Sequence, residues 1–99
     1  MLNIKKTQNE GVLTFYLDGR LDTMTSPQLE EEIKASIPGI KELMFDLEKL
    51  EYISSAGLRV LLSAQKTMNR QGNMTVMHAT PEVLEIFDVT GFSDILTIQ

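Results

Sequence analysis

Apolar residues recur at every second position near the N-terminus, which predicts β-strands. In the segment 11–17, leucine and phenylalanine alternate with threonine and tyrosine, so the apolar side chains share one face of an extended chain. Another apolar segment, 2–7, comes before it, and the turn-forming residues 8–11 separate the two. We therefore predict an antiparallel hairpin, whose second strand ends where Asp18-Gly19-Arg20 interrupts the pattern.

The pattern then changes to a period of three to four, which predicts three helices. The first begins at Ser26, the expected N-cap, followed by Pro27, which suits a first helical turn. The second covers residues 56–70 and has the strongest helical pattern of the chain. The third begins with the cap-then-proline pair Thr80-Pro81, and a glycine ten residues after the proline suits its C-terminal cap.

Short apolar segments at 43–47 and 74–78 separate these helices and are predicted to be strands. The element order is therefore β-β-α-β-α-β-α, with residues 95–98 as a final strand or a docked tail. Strand–helix–strand units form parallel pairs with the helices packed against the sheet. We predict one α/β domain over residues 1–99, with a mixed, mainly parallel sheet of four to five strands.

Composition narrows the class of protein. The chain has 99 residues, of which 42% are hydrophobic and 23% charged, as is ordinary for one globular domain. It has no cysteine, which removes disulfides and thiolate chemistry and fits a reducing cytoplasm, where we expect the protein to act. No apolar stretch reaches the roughly twenty residues that a membrane span needs, so membrane insertion is not expected.

The charge distribution disfavours nucleic-acid binding. The formal net charge is −5, and the nine basic residues are scattered along the chain. A protein that binds nucleic acid needs a clustered basic surface to displace the counterions of the phosphates. The one acidic run, Glu30-Glu31-Glu32, is interpreted as the solvated face of a helix.

No complete catalytic or metal-binding set is visible in the sequence. His78 is the only histidine, has no ligand at a metal-binding spacing beside it, and is interpreted as a partly exposed structural residue. Asp46, Glu48 and Glu51 are interpreted as parts of a solvated loop. No glycine-rich phosphate loop is present. We therefore predict a protein without enzymatic activity, cofactor or metal.

The serine pair Ser54-Ser55, just before the strongest helix, offers the clearest candidate chemistry. One serine is expected to cap the helix, and a helix N-terminus also tolerates a phosphoryl group, because free amides and the helix dipole favour negative charge there. Gly57 costs on the order of 1 kcal/mol of helix propensity relative to alanine. Its missing side chain either leaves room for a partner or permits a tight packing contact, and the sequence leaves both explanations open.

Three segments resemble the STAS family, which includes anti-sigma factor antagonists and the cytoplasmic tails of sulphate transporters. Leu17-Asp18-Gly19-Arg20-Leu21-Asp22-Thr23 resembles a strand-end element of the family. The stretch 45–58, with Tyr52-Ile53-Ser54-Ser55-Ala56-Gly57-Leu58, resembles its central strand and phosphoserine motif. Residues 83–92 resemble its last helix and the following turn. The order and spacing of these segments cover essentially the whole chain.

The resemblance implies a phosphorylation switch. In the family, an unphosphorylated antagonist binds an anti-sigma factor that is also a serine kinase, and so frees the sigma factor. The kinase then uses ATP to phosphorylate a serine, which breaks the complex, and a serine phosphatase restores the antagonist. By position this serine is Ser55. The partner-binding surface would comprise Asp22, Thr23, Ser54, Ser55, Ala56, Gly57 and Leu58.

The motif departs from the family pattern at one position. Many members have aspartate where this chain has Ser54, which leaves Ser54 as an alternative acceptor. A second interpretation is a STAS subunit of a larger assembly, such as a lipid-transport or stress-sensing complex, that is not phosphorylated. The expected oligomeric state is a monomer or weak dimer.

Overall fold

The computed structural model describes residues 1–99 and has the predicted order of elements, with one 3₁₀ turn after the last helix. The elements are β1 (Leu2–Asn9), β2 (Val12–Leu21), α1 (Ser26–Ser36), β3 (Glu42–Ile53), α2 (Ser55–Gln71), β4 (Asn73–Met77), α3 (Pro81–Thr90) and the 3₁₀ turn Phe92–Asp94. The four strands form one sheet in the order β1-β2-β3-β4. β1 and β2 are antiparallel, whereas β2–β3 and β3–β4 are parallel.

The N-terminal hairpin turns at Glu10 and Gly11. Both residues have positive φ angles, 50° and 84°, as a two-residue turn requires when it matches the twist of its strands. The turn brings Asn9 opposite Val12 and sets the register of the whole hairpin. The predicted antiparallel hairpin is therefore confirmed.

Two strand ends were predicted wrongly. β2 does not stop at Asp18-Gly19-Arg20 but continues to Leu21. Its pairing with β3 shifts register twice in this region, between Tyr16 and Asp18 and between Gly19 and Arg20. Gly19 has a φ of 115°, and a side chain there would overlap the carbonyl oxygen of Met1. β3 likewise runs to Ile53. Asp46, Glu48 and Glu51, which were interpreted as parts of a solvated loop, therefore all lie on this strand.

The core lies between one face of the sheet and the helices. Phe15 of β2 and Phe45 of β3 stack at its centre, with ring centroids 5.5 Å apart and planes inclined by 17°. Leu61 of α2 and Phe87 of α3 are also fully buried in this core. The residues between the inward-facing strand positions, such as Asp46, point to the opposite face of the sheet. None of the helices is both long enough and apolar enough to cross a membrane.

The N-cap predicted for the third helix is confirmed, whereas the N-cap predicted for the first helix is wrong. Thr80 caps α3, since its Oγ1 accepts a hydrogen bond from the amide of Val83 at 3.3 Å, and Gly91 ends it with a φ of 81°. Ser26 was predicted as the N-cap of α1 but is its first residue, with Thr25 in the cap position. The hydroxyl of Ser26 is buried and donates to a backbone carbonyl of the preceding turn instead.

The C-terminal residues dock beside β4. Val76 donates a hydrogen bond to the carbonyl of Thr97 and accepts one from the amide of Gln99, both at 2.8 Å. Leu96 is buried in the core. The tail therefore forms one isolated parallel bridge, Val76 to Ile98, and no full fifth strand.

Candidate functional site

The parallel pairing of β2 and β3 brings the two predicted site segments together. Leu21 at the end of β2 pairs with Ile53 at the end of β3, and the amide of Ser54 donates a hydrogen bond to the carbonyl of Leu21 at 2.8 Å. The loop that begins with Asp22 therefore lies beside the start of α2. Two sequence motifs that are about thirty residues apart form one end of the sheet.

The two serines have different roles in the local structure. Ser54 is the N-cap of α2, with extended backbone angles of −94° and 175°, and its hydroxyl oxygen accepts a hydrogen bond from the amide of Gly57 at 3.3 Å. Ser55 is the first residue of the helix, and its side chain is exposed and has no hydrogen bond within the chain. The serine that caps is thus distinct from the serine that is free to react.

Replacing each serine by alanine should separate these roles. We expect Ser54→Ala to lower the free energy of unfolding by about 1 kcal/mol, because it removes the cap. Ser55→Ala should change it by less than about 0.5 kcal/mol, because no contact is lost at an exposed site. Urea denaturation followed by circular dichroism measures both values. Equal losses in the two variants would contradict the assignment of the cap to Ser54.

Gly57 is explained by packing. It is buried, and a Cβ at this position would lie 2.7 Å from Cγ of Leu21 and 2.9 Å from Cγ1 of Ile53. Such distances are too short for carbon atoms, so α2 approaches the sheet this closely only with glycine. Leu58 is also buried, with 5% of its surface exposed. Both residues face the core, where they hold the serine pair in place but offer no surface to a partner.

Asp22 organises the turn that precedes α1. Its Oδ1 accepts hydrogen bonds from the amides of Met24 at 3.0 Å and Thr25 at 3.1 Å, and from the Thr25 hydroxyl at 3.2 Å. The amide of Thr25 is the main cause that holds the pKa of Asp22 below its ordinary value. Because the folded state lowers this pKa, the contribution of Asp22 to stability is present above about pH 4 and is lost as the pH falls further.

A shallow groove connects the two segments. It has a volume of about 300 Å³ and lies between the starts of α1 and α2, with Thr23, Ala56 and Arg59 among its lining residues. Arg59 is four residues after Ser55, so the two side chains lie on the same face of α2. Met24, next to Thr23, leaves 87% of its surface exposed. The sequence analysis missed both Met24 and Arg59; the helical spacing of Arg59 from Ser55 was the available signal.

Five of the seven predicted partner-binding residues therefore lie at this end of the sheet with some exposure. They are Asp22, Thr23, Ser54, Ser55 and Ala56. The site combines an exposed hydroxyl at a helix N-terminus, a neighbouring carboxylate fixed by its turn, and a shallow groove. The arrangement suits a surface that is recognised and modified by another protein.

Known proteins resemble this chain in sequence and in fold. It is 36% identical over 91 residues to BtrV of Bordetella bronchiseptica, which is named a putative anti-sigma factor antagonist, covering 90% of this chain and 78% of BtrV. The crystal structure of an anti-sigma factor antagonist from Mycobacterium paratuberculosis has a TM-score of 0.89 at 22% identity, covering 99% of this chain and 85% of that one. The phosphorylated form of the Bacillus cell fate determinant SpoIIAA has a TM-score of 0.75 at 16% identity, and the match covers 100% of this chain and 91% of SpoIIAA.

The two structural similarities lie below 25% identity and establish the fold. The family model for the STAS domain matches residues 3–99, which is nearly the entire chain and includes every residue of the candidate site. The match agrees with the family resemblance of the three sequence segments and with the four-stranded mixed sheet. This chain therefore belongs to the STAS domain family.

Proposed function

We propose that this STAS domain is an anti-sigma factor antagonist. In its unphosphorylated form it binds an anti-sigma factor that is also a serine kinase, and so releases the sigma factor in the cytoplasm. The observation that carries the proposal is Ser55, an exposed hydroxyl without a hydrogen-bond partner at the start of α2. The name of BtrV, a putative anti-sigma factor antagonist, supports this class of partner.

Phosphorylation of Ser55 ends the interaction. The kinase transfers the γ-phosphoryl group of ATP to Oγ of Ser55, the hydroxyl loses its proton, and ADP leaves. The product carries roughly two additional negative charges. These charges lie at a helix N-terminus, where the first-turn amides and the helix dipole favour an anion. The fold is retained while the binding surface gains negative charge, and a serine phosphatase restores the hydroxyl by hydrolysis.

The binding surface consists of the exposed part of the site. Thr23, Ser55 and Ala56 would contact the kinase around the groove, while Gly57 and Leu58 support them from the core. Met24 adds an exposed apolar side chain beside the groove, as is common at the centre of protein interfaces. The same surface serves as docking site and phosphorylation substrate, so modification and dissociation are coupled.

The release of a sigma factor tests the antagonist function. We expect the unphosphorylated chain, added without ATP to a purified complex of the anti-sigma factor and its sigma factor, to displace the sigma factor and restore transcription in vitro. The partner for this assay is a serine-kinase-type ATPase from the same organism, sought first among the genes that neighbour this one. Denatured chain is the control. A folded chain that neither binds this ATPase nor releases the sigma factor would overturn the proposal.

A further inference from the structure

Asp46, Glu48 and His78 form a cluster that the sequence did not reveal. Asp46 and Glu48 lie on β3, and His78 directly follows β4. The parallel register pairs Asp46 with Met77, which brings the neighbouring imidazole beside the two carboxylates. One ligand atom from each residue lies within 4.8 Å of the other two. His78 has no metal-ligand partner beside it in the sequence, and both of its neighbours in this cluster come from the adjacent strand β3.

The carboxylate of Asp46 is held toward the imidazole. Its Oδ1 accepts a hydrogen bond from the amide of Glu48 at 3.0 Å, and its Oδ2 lies 3.0 Å from Nδ1 of His78. Only 15% of the Asp46 side chain is exposed, against 59% for His78. Lys5 and Lys49 line the cavity next to Asp46, but no ammonium group lies within 4.0 Å of either carboxylate. The cluster therefore combines two carboxylates with one imidazole and has no lysine or arginine in contact with it.

We propose that this cluster binds a divalent transition-metal ion of the zinc class. The ligands are Nδ1 of His78, Oδ2 of Asp46 and one carboxylate oxygen of Glu48. A set of one imidazole nitrogen and two carboxylate oxygens suits Zn²⁺ and its neighbours, whereas Mg²⁺ and Ca²⁺ prefer oxygen ligands alone. The ion supplies the positive charge that the two carboxylates lack.

The distances fit such an ion after small side-chain movements. Ligands at about 2.0–2.1 Å from a tetrahedral ion are about 3.3 Å apart, so the 3.0 Å separation of Nδ1 and Oδ2 has to widen by a few tenths of an ångström. Glu48 is exposed and free to swing toward the other two residues. Asp46 and Glu48 also line an open cavity of about 460 Å³, which leaves room for water as the fourth ligand.

The metal site is separate from the proposed phosphorylation site. Asp46 lies seven residues before the end of β3, about 20 Å along the strand from the start of α2. The bound ion would link β3 to the segment after β4 and stabilise the folded chain, since it binds the folded state only. This inference therefore stands or fails independently of the function proposed above.

Zinc titration of the untagged chain tests the site. We expect calorimetry to give saturable binding of one Zn²⁺ per chain, with a rise in Tm, and we expect excess Mg²⁺ not to compete. Because His78 is the only histidine, a zinc-induced change in its imidazole ¹⁵N shifts identifies the ligand directly. His78→Asn and Asp46→Asn should each weaken binding at least about tenfold. Glu31→Gln, which removes an exposed carboxylate from α1, should leave it unchanged.

The choice of variants keeps the result interpretable. His78 has a φ of 58°, and asparagine tolerates this backbone region better than most residues, so His78→Asn should fold. Equal zinc affinity in folded wild-type and His78→Asn proteins would overturn the proposal. So would weak binding of several ions without a change in the imidazole shifts, since that pattern indicates scattered surface carboxylates.

Discussion

Ser55→Asp is expected to weaken binding to the partner kinase by about 100-fold or more, with little change in Tm. A permanent charge in the interface costs several kcal/mol when the partner surface is not built to receive it, and each 1.4 kcal/mol corresponds to a factor of ten in affinity. Stability should change little, because Ser55 is exposed and makes no hydrogen bond, and because a carboxylate is favoured in the first turn of a helix. Calorimetric titration and thermal denaturation measure the two effects.

Ser63→Asp provides the matched control. Ser63 is exposed on the same helix, two turns further along, so its substitution introduces the same charge away from the site. The affinity of the Ser63→Asp variant for the kinase should stay within about twofold of the wild-type value. If Ser63→Asp weakened binding as strongly as Ser55→Asp, the effect would come from overall charge. If Ser55→Asp unfolded the chain, Ser55 would have a structural role that its present surroundings do not explain.

Gly57→Val is expected to destabilise the fold by about 3 kcal/mol, through overpacking of the contact between α2 and the sheet. The Cβ alone would lie 2.7 Å from Leu21 and 2.9 Å from Ile53, and valine adds two methyl groups to this overlap. Neither leucine nor isoleucine has room to move, because both are buried in the core. For a domain of this size the loss lowers Tm by about 15 °C, which a thermal scan detects.

Ala56→Val is the matched control for this substitution. Ala56 is the preceding residue of the same helix and lines the open groove, so valine there should cost less than about 1 kcal/mol. Similar melting temperatures for the Gly57→Val and wild-type proteins would contradict the packing explanation. That outcome would favour the other explanation, in which the missing side chain of Gly57 leaves room for a partner.

Elements with strong local signals could be predicted from the sequence. The alternation at 11–17 predicts β2 because a period of two is specific to strands. The pair Thr80-Pro81 predicts the start of α3 because the capping hydrogen bond joins two residues that are only three positions apart. In each case the determining contacts are local in the chain.

The wrong predictions arose where distant contacts decide the structure. β2 continues past Gly19 because Met1 and β3 supply hydrogen-bond partners from elsewhere in the chain. Ser26 is not a cap because its hydroxyl finds the carbonyl of Asp22 in a turn that the periodicity does not reveal. Propensity favours a serine as the cap, but the neighbouring turn determines which residue occupies that position.

The candidate site could be predicted only in part for the same reason. The local motif places Ser54 and Ser55 at a helix start, but only the bond from Gly57 identifies Ser54 as the cap. The need for glycine at position 57 arises from the short distance to Leu21, a residue far away in sequence. The cluster of Asp46 and His78 depends on the register of two parallel strands, which no spacing within either segment specifies.

The most direct test of the proposed switch is to identify the phosphorylated residue. The chain is incubated with the partner kinase and ATP, digested, and sequenced by tandem mass spectrometry, alongside the Ser54→Ala and Ser55→Ala variants. We predict one phosphate on Ser55 in the wild type and in Ser54→Ala, and none in Ser55→Ala. Phosphate on Ser54 in the wild-type chain, or a kinase that binds the folded chain and modifies neither serine, would contradict this account.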